Sequence, residues 1–182
     1  KKLCAFAQNG GTVIVTYWSG VVDESDLCRL GDTPYGLTEL LGLRRTEIDG
    51  MYDGENRRCM SVDGCTLPAA QASTLCEVAT LNEKDPAEPL SLYDEDYFAG
   101  HPAVAVHRYG KGCAYYLASR FDEAFYRAFY HDAAKEIGLS PAWPEALPEG
   151  ILAVRRGSFV FVQNCTEQPA TVGNTVLERY RT

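Results

Sequence analysis

The loop after the first predicted strand holds a group of acidic side chains whose spacing could support catalysis. The residues are Asp23, Glu24 and Asp26. Two carboxyl groups about 5 Å apart can cleave a glycosidic bond, with one acting as the acid and the other as the nucleophile. Acidic residues that follow a loop serine more commonly cap a helix or form hydrogen bonds at an interface. We therefore predict a structural role for these carboxylates.

Histidines and glycines give no sign of a metal or phosphate site. His101, His107 and His131 lack the spacing of metal ligands. His107 alternates with valines in a predicted strand, so we expect its side chain to face outward. The run Gly110-Lys111-Gly112 lacks the glycine spacing and the following Ser or Thr of a phosphate-binding loop, and a hairpin turn explains it. We expect no metal and no cofactor.

The acidic loop follows a predicted helix, glycine turn and strand. Leu3, Phe6 and Ala7 have helical spacing, and the helix is expected to end at the glycines of residues 9–11. Residues 12–18 are β-branched or aromatic at odd and even positions, which is typical of a strand buried on both faces of a parallel α/β sheet. Such sheets place functional loops after the carboxyl ends of strands. We call residues 19–34 the strand-end loop and predict that it is the functional loop.

The next segment is predicted to alternate short elements with loops. The expected elements are a helix at 35–41 ended by Gly42, strands at 43–48 and 73–81, a weak strand near 59–62 and a surface connection at 82–96.

A β-hairpin and an amphipathic helix follow. The hairpin is predicted at 103–108 and 113–118. Asp122 is expected to cap a helix that ends near Ile137, and its aromatic side chains recur every four residues, so this face should pack on the sheet. Beyond a proline-rich linker, short strands are expected at 151–154, 159–163, 170–172 and 176–177.

Charge and hydropathy argue against nucleic-acid and membrane partners. The chain has 182 residues and a formal net charge of −8, and its Lys and Arg residues are scattered. Nucleic-acid binding needs clustered cations that displace the counterions of phosphates. The apolar runs are far shorter than the roughly 20 residues that span a bilayer. We expect neither nucleic acid nor membrane among the partners.

The cysteines indicate a reducing compartment. There are seven, with no C-x-x-C pair, and any complete pairing leaves one over. Cys76 and Cys113 lie in apolar strand-like runs, where a thiol behaves as a small buried hydrophobe. We therefore expect reduced thiols and a cytoplasmic location. The glycosylation sequon at Asn164 is interpreted as a chance match.

Two stretches of the chain resemble a known enzyme family. The strand-end loop reads Ser-Gly-Val-Val-Asp-Glu from Ser19, with Arg-Leu-Gly from Arg29, and the stretch from Gly100 to Tyr116 contains Arg-Tyr-Gly-Lys-Gly-Cys-Ala-Tyr-Tyr. Both resemble the middle domain of glycoside hydrolase family 42 β-galactosidases. The resemblance runs from Gly10 to Gly150 and is weakest over residues 49–96. It extends to Asn-Cys-Thr at residues 164–166, where the family often has His at the position of Cys165.

The resemblance implies a piece of a larger enzyme, consistent with a chain that opens without methionine. The family's catalytic glutamates lie in an N-terminal barrel, so we assign no catalytic residue here. The implied fold is a flavodoxin-like or class I glutamine amidotransferase-like layered α/β domain followed by a small antiparallel β domain. We expect an N-terminally truncated trimerisation domain at 1–147 and a partial β domain at 148–182.

The implied function is the non-catalytic assembly of a β-galactosidase. The whole enzyme is expected to be a retaining glycosidase that hydrolyses terminal β-D-galactosyl residues. It would be a homotrimer that binds galactoside in the barrel, and this piece alone should be inactive. Aromatic residues and arginines concentrate in subunit contacts. The candidate interface residues are Trp18, Asp23, Glu24, Arg29, Tyr35 and Arg44.

Two alternative functions stay open. The chain could be an accessory module that contacts carbohydrate, which a cluster of exposed aromatic residues around one groove would favour. It could also be an independent amidotransferase-like hydrolase, which needs a cysteine at a strained turn within hydrogen-bond reach of a histidine. Cys28 has no flanking glycine, and His131 lies in the middle of a predicted helix.

Overall fold

The computed structural model describes residues 1–31 and 33–180. Asp32 in the strand-end loop and residues 181–182 of the predicted second domain lie outside the described residues. The chain divides into two compact units, Lys1–Ala133 and a second unit from Ala134 onward. The predicted domain boundary between residues 147 and 148 stays a prediction.

The first unit is built on an eight-stranded mixed sheet. Its strands are β1 (Thr12–Thr16), β2 (Leu43–Gly50), β3 (Arg57–Ser61), β4 (Ala70–Leu81), β5 (Glu88–Tyr93), β6 (Pro102–Tyr109), β7 (Gly112–Leu117) and β8 (Ser119–Phe121). Its helices are α1 (Lys2–Gln8), α2 (Thr38–Leu41) and α3 (Glu123–Glu136), the last of which continues past the end of the unit. The strand order is β1-β7-β6-β5-β3-β4-β2, and β8 pairs with β4. The predicted α/β class is confirmed, and the structure is richer in strand than in helix.

β1 departs from the predicted parallel sheet. It lies at one edge, where it pairs in parallel with β7, and the other pairs of described strands in this sheet are antiparallel. Val13 and Val15 are buried, whereas Thr12 and Ile14 are half-buried. The alternation shows one well-buried face, so burial on both faces was a wrong prediction. The second face of β1 is only partly covered, unlike the faces of a fully parallel sheet, which are both buried.

The hairpin and the long helix are confirmed. β6 and β7 pair up to Tyr109 and Gly112, and the turn contains Gly110 at φ +63°. A Cβ at Gly112 would collide with the carbonyl oxygen of Gly11, so the turn packs closely on the segment after α1. Asp122 caps α3, because its Oδ1 accepts the N–H of Phe125 at 3.0 Å. The predicted face of α3 is buried at Phe125, Phe129 and Ala133.

β5 corrects the predicted surface connection at 82–96. The segment Glu88–Tyr93 forms a strand between β3 and β6. Pro89 lies opposite Ala105, and the register shifts immediately after it. Such an irregularity lets a strand accommodate proline, which cannot donate a ladder hydrogen bond.

His107 does not face outward as predicted. Its side chain is buried, and its Nδ1 lies 3.0 Å from the carbonyl oxygen of Leu40. The ring packs against Gly42, which ends α2 in the left-handed conformation with φ +63°. A Cβ at Gly42 would lie 2.6 Å from the His107 ring. The helix end therefore leaves room for the histidine, which strand alternation alone could not predict.

The second unit contains two small antiparallel sheets. Strands β9 (Ile151–Arg156) and β10 (Phe159–Asn164) form one, and β11 (Ala170–Val172) and β12 (Thr175–Leu177) form the other. These strands are as predicted.

The amide of Asn164 joins several segments of the second unit. Its Nδ2 donates to the carbonyl oxygens of Gln168, Leu177 and Glu178 at 2.8, 3.1 and 3.1 Å. Its Oδ1 accepts from the N–H and the hydroxyl of Thr166 at 2.9 and 2.8 Å. Asn164 is only 2% exposed, so its amide serves the fold.

Candidate subunit interface

A residue with a strained backbone lies between β1 and the strand-end loop. Trp18 has φ +65°, a left-handed conformation that is uncommon for a bulky residue. The N–H of Trp18 donates to Oε1 of Glu77 in β4 at 2.9 Å. The side chain of Trp18 remains 59% exposed. The backbone is thus held from inside the sheet while the indole faces solvent.

Glu77 belongs to a buried ion pair. It is fully buried in β4, Arg45 in β2 is 6% exposed, and Nη1 of Arg45 lies 2.6 Å from Oε1 of Glu77. The other carboxylate oxygen accepts a short hydrogen bond from the Tyr116 hydroxyl. Burial, together with the charge of Glu77, raises the pKa of Tyr116 well above its usual value, so this hydroxyl stays protonated and donates. Both oxygens of the buried carboxylate therefore have partners, as a buried charge requires.

Arg45 also ties down the far end of the loop. Its N–H donates to the carbonyl oxygen of Thr33 at 2.6 Å, and the hydroxyl of Thr33 donates to the carbonyl oxygen of Arg45 at 3.1 Å. The N–H of Tyr35 donates to the carbonyl oxygen of Gly20 at 3.1 Å. A Cβ at Gly20, which has φ +61°, would lie 2.6 Å from the nitrogen of Tyr35. The two ends of the loop are therefore fastened to each other and to β2.

Asp23 organises the tip of the loop. Its Oδ1 accepts the N–H groups of Ser25 and Leu27 at 2.8 and 3.0 Å. These two bonds, that from Ser25 first, hold the pKa of Asp23 below its usual value. Asp26, three residues after Asp23, has a left-handed backbone with φ +59°. Asp23 therefore has a structural role in the turn.

The loop presents large apolar side chains to solvent. Leu30 is 95% exposed and Leu27 66%, and Val22 is also exposed. The flanking Trp18 and Tyr35 add exposed aromatic rings. Several exposed apolar side chains on one loop and its ends are typical of an interaction site. We call these five residues, Trp18, Val22, Leu27, Leu30 and Tyr35, the apolar patch.

Arg29 adds charge beside the apolar patch. Its guanidinium carbon lies 4.0 Å from the centre of the Tyr35 ring, a cation–π contact. Its Nη2 lies 3.5 Å from a carboxylate oxygen of Glu24. Arg29 and Cys28 also line a groove of about 390 Å³ between the loop and β2. This arrangement, aromatic and arginine on an apolar surface, is typical of protein contacts.

Arg44 lies apart from the other candidate residues. Its Nε donates to the Thr80 hydroxyl at 3.3 Å. It lines a different groove of about 630 Å³ together with Thr38, Thr80, Leu81, Asn82, Glu83 and Lys84. Adjacent residues of a strand point to opposite faces, so Arg44 and Arg45 diverge. Trp18, Asp23, Glu24, Arg29 and Tyr35 belong to the loop and its ends, whereas Arg44 lies on a separate groove.

Glu77, Arg45 and Tyr116 were missed by sequence reasoning. One signal was available, because Glu77 is the single charged residue in the apolar run of residues 75–79. A lone carboxylate in such a strand needs a buried partner. The identity of the partner was not visible, since Arg45 is 32 residues away.

The cysteines and histidines do not form a catalytic pair among the described residues. All seven cysteines are free, and no hydrogen bond of the described part joins a cysteine to a histidine. Burial raises the pKa of Cys59 to about 12 and that of Cys76 to about 11. In residues 1–31 and 33–180 no group of three His, Cys, Asp or Glu side chains is placed to hold a metal ion. No helix of that part is long and apolar enough to cross a membrane.

Comparisons with known proteins agree with the motifs. The family model described as the β-galactosidase trimerisation domain matches residues 1–140. The chain is 42% identical over 179 residues to β-galactosidase BglY of Alicyclobacillus acidocaldarius, covering 94% of this chain and 26% of that protein. It is 36% identical over 179 residues to β-galactosidase Pbg of Clostridium perfringens, with the same coverage of 94% and 26%. The chain thus spans about a quarter of the length of these relatives.

Solved structures give the same family. The crystal structure of the cold-adapted β-galactosidase from Rahnella sp. R3 superposes with a TM-score of 0.85 at 38% identity, covering 98% of this chain and 29% of that chain. A β-galactosidase from Bacillus circulans superposes with a TM-score of 0.81 at 29% identity, covering 92% of this chain and 25% of that chain. The chain therefore belongs to the trimerisation-domain family of glycoside hydrolase family 42 β-galactosidases.

Proposed function

We propose that this chain holds the subunits of a β-galactosidase together as a homotrimer. The observation that carries the proposal is the apolar patch, which is exposed on a loop fastened at both ends. The description of the family as a trimerisation domain supports the same role. In the whole protein, a retaining glycosidase, a separate barrel binds the galactoside and cleaves its terminal β-D-galactosyl residue. This part contributes assembly and no catalytic residue.

The fixed loop suits a subunit contact. Burying a large apolar side chain contributes about 1.5–3 kcal/mol, and a surface that is already ordered loses little entropy on association. A cyclic trimer uses heterologous contacts, so the apolar patch of one subunit must meet a different surface of the next. The groove at Arg44, which carries Lys84 as a second cation, is our candidate for that opposing surface. Arg44 and Lys84 outnumber the one acidic lining residue, Glu83, and their positive charges complement the exposed Glu24 on the loop.

Substitution of Leu30 by Asp tests the contact without disturbing the core. Leu30 is 95% exposed, so Leu30→Asp should leave the fold intact and place a charge in the interface. The matched control is Leu139→Asp, since Leu139 is also exposed and lies outside the first unit. Light scattering should find a trimer for the parent chain and for Leu139→Asp, and a monomer for Leu30→Asp. A trimeric Leu30→Asp would overturn the assignment of the loop to the interface.

The two alternatives gain no support from the described residues. Three grooves of the first unit, at Arg44, at His101 and beside the strand-end loop, have no aromatic lining residue on which a sugar could stack. The hydrolase alternative needs a hydrogen-bonded cysteine–histidine pair, and the described residues form none.

The finer fold label, the domain boundary and the location are proposals of the same kind. We propose a flavodoxin-like, amidotransferase-like first domain, supported by α1, the glycine turn and a β1 strand parallel to β7. The boundary at 147/148 is supported by the prolines that precede β9. A cytoplasmic location is supported by the free cysteines.

A further inference from the structure

We propose that Glu77 is a positioning residue, which fixes Trp18 for contact with a second copy of this chain. The inference rests on the proposed function and adds to it. It names a buried residue, remote from the surface, that controls the strength of the subunit contact.

Trp18 has an unfavourable backbone conformation. A left-handed backbone at φ +65° is unfavourable for a side chain of this size and persists only where the surroundings impose it. The contact that imposes it is the 2.9 Å hydrogen bond from the Trp18 N–H to Oε1 of Glu77. A hydrogen bond to a carboxylate is stronger than one to a neutral acceptor. Without it, the turn would lose its internal anchor.

Glu77 is itself immobilised by neighbouring strands. Arg45 binds the same oxygen as Trp18, at 2.6 Å, and the Tyr116 hydroxyl binds the other oxygen. Tyr116 lies opposite Val15 in the parallel pair of β1 and β7. The carboxylate is therefore held by β2 and β7, and it fixes the position of Trp18, two residues after the end of β1.

The buried charge of Glu77 carries a desolvation cost. Taking an ion pair out of water is unfavourable, and apolar residues of similar size often stabilise a fold equally well. Stability alone is therefore a weak reason for a glutamate in the centre of β4. A role in positioning Trp18 accounts for the buried carboxylate of Glu77. The indole stays 59% exposed instead of collapsing on the sheet, and an ordered aromatic anchor binds with less loss of entropy.

A double-mutant cycle on association tests the inference. The variants are Trp18→Ala, Glu77→Gln and the double variant, and sedimentation measures the dissociation constant of each trimer. Trp18→Ala should weaken association on the order of 30-fold, as expected for a hot-spot aromatic. Glu77→Gln should weaken it about tenfold in the parent chain and hardly at all when Trp18 is already Ala. A merely structural role for Glu77 would weaken both backgrounds equally and overturn the inference.

Two further variants keep the test decisive. Tyr116→Phe removes only the hydroxyl that holds Glu77, so it should weaken association in the same direction even if Glu77→Gln folds poorly. Glu123→Gln, at an exposed glutamate of α3, is the matched control and should leave association unchanged. If Trp18→Ala has no effect, both the proposed interface and this inference fail. If Trp18→Ala weakens association but Glu77→Gln and Tyr116→Phe do not, only the inference fails.

Discussion

Replacing Arg45 by Met would leave the Glu77 carboxylate buried without its cation. Glu77 is fully buried, Arg45 is 6% exposed, and their charged atoms are 2.6 Å apart. Removing one partner of a buried ion pair costs about 3–5 kcal/mol of unfolding free energy, because the remaining charge stays desolvated. Methionine retains much of the apolar stem, so little packing is lost. The charge is the main change.

The expected cost lies near the lower end of that range. Glu77 keeps its hydrogen bonds from the Trp18 N–H and the Tyr116 hydroxyl, which stabilise the carboxylate in part. The hydrogen bonds that join the backbone of Arg45 to Thr33 do not involve the altered side chain. The contact from Arg45 Nη1 to the Ser19 carbonyl oxygen is long, at 3.5 Å, and adds little. We predict a loss of about 3 kcal/mol.

Urea unfolding followed by far-UV circular dichroism measures this loss. The matched control is Arg58→Met, which removes an exposed arginine whose Nε lies 2.7 Å from Asp94 and which should cost less than about 1 kcal/mol. The double variant Arg45→Met/Glu77→Leu removes both buried charges and should be more stable than Arg45→Met alone. The reasoning is refuted if Arg45→Met costs no more than Arg58→Met.

Three other predictions concern the second unit, the cysteines and the cap of α3. Asn164→Ala should lower the local stability of the second unit by about 2–4 kcal/mol in hydrogen exchange, because several backbone groups lose their buried partner. The control Gln163→Ala, at an exposed neighbour, should change this stability by less than about 0.5 kcal/mol. Similar exchange rates in both variants would contradict the prediction. Iodoacetamide should label the exposed Cys28 of the monomeric chain and spare Cys59, whose pKa burial raises to about 12, and equal labelling rates would contradict the burial. Burial raises the pKa of Asp122, but backbone N–H donors outweigh this effect and leave the pKa below its usual value. The stabilisation by this cap is therefore present above the unfolded pKa of about 3.9 and is lost as the pH falls through the folded pKa. Asp122→Ala should therefore cost about 1 kcal/mol at neutral pH and less in acid, and a cost independent of pH would contradict the sign.

Elements set by local chemistry were predictable from the sequence. The hairpin of β6 and β7 depends on a glycine turn, and α3 depends on a cap and a four-residue aromatic period, all visible within a few residues. β5 was missed because Pro89 and the surrounding acidic residues outweighed its strand pattern locally. That segment forms a strand because it pairs with the neighbouring β3 and β6. Tertiary pairing therefore decided what local preference could not.

The surface of the candidate site was more predictable than its support. Trp18, Arg29 and Tyr35 could be selected by residue type, since aromatic residues and arginines dominate contacts. The ion pair beneath them joins β2 to β4, and no local pattern pairs residues 32 positions apart. The separation of Arg44 from the loop could not be predicted, because the side of a strand on which a residue lies depends on register, which the sequence does not give.

The mass of this chain in solution tests the central claim most directly. One copy has a mass of 20.1 kDa. Light scattering across a concentration series should give three times this mass at high protein concentration and fall toward one copy on dilution. A mass of one copy at every concentration would contradict the account, because the strand-end loop and the surface that it meets would then be insufficient for assembly.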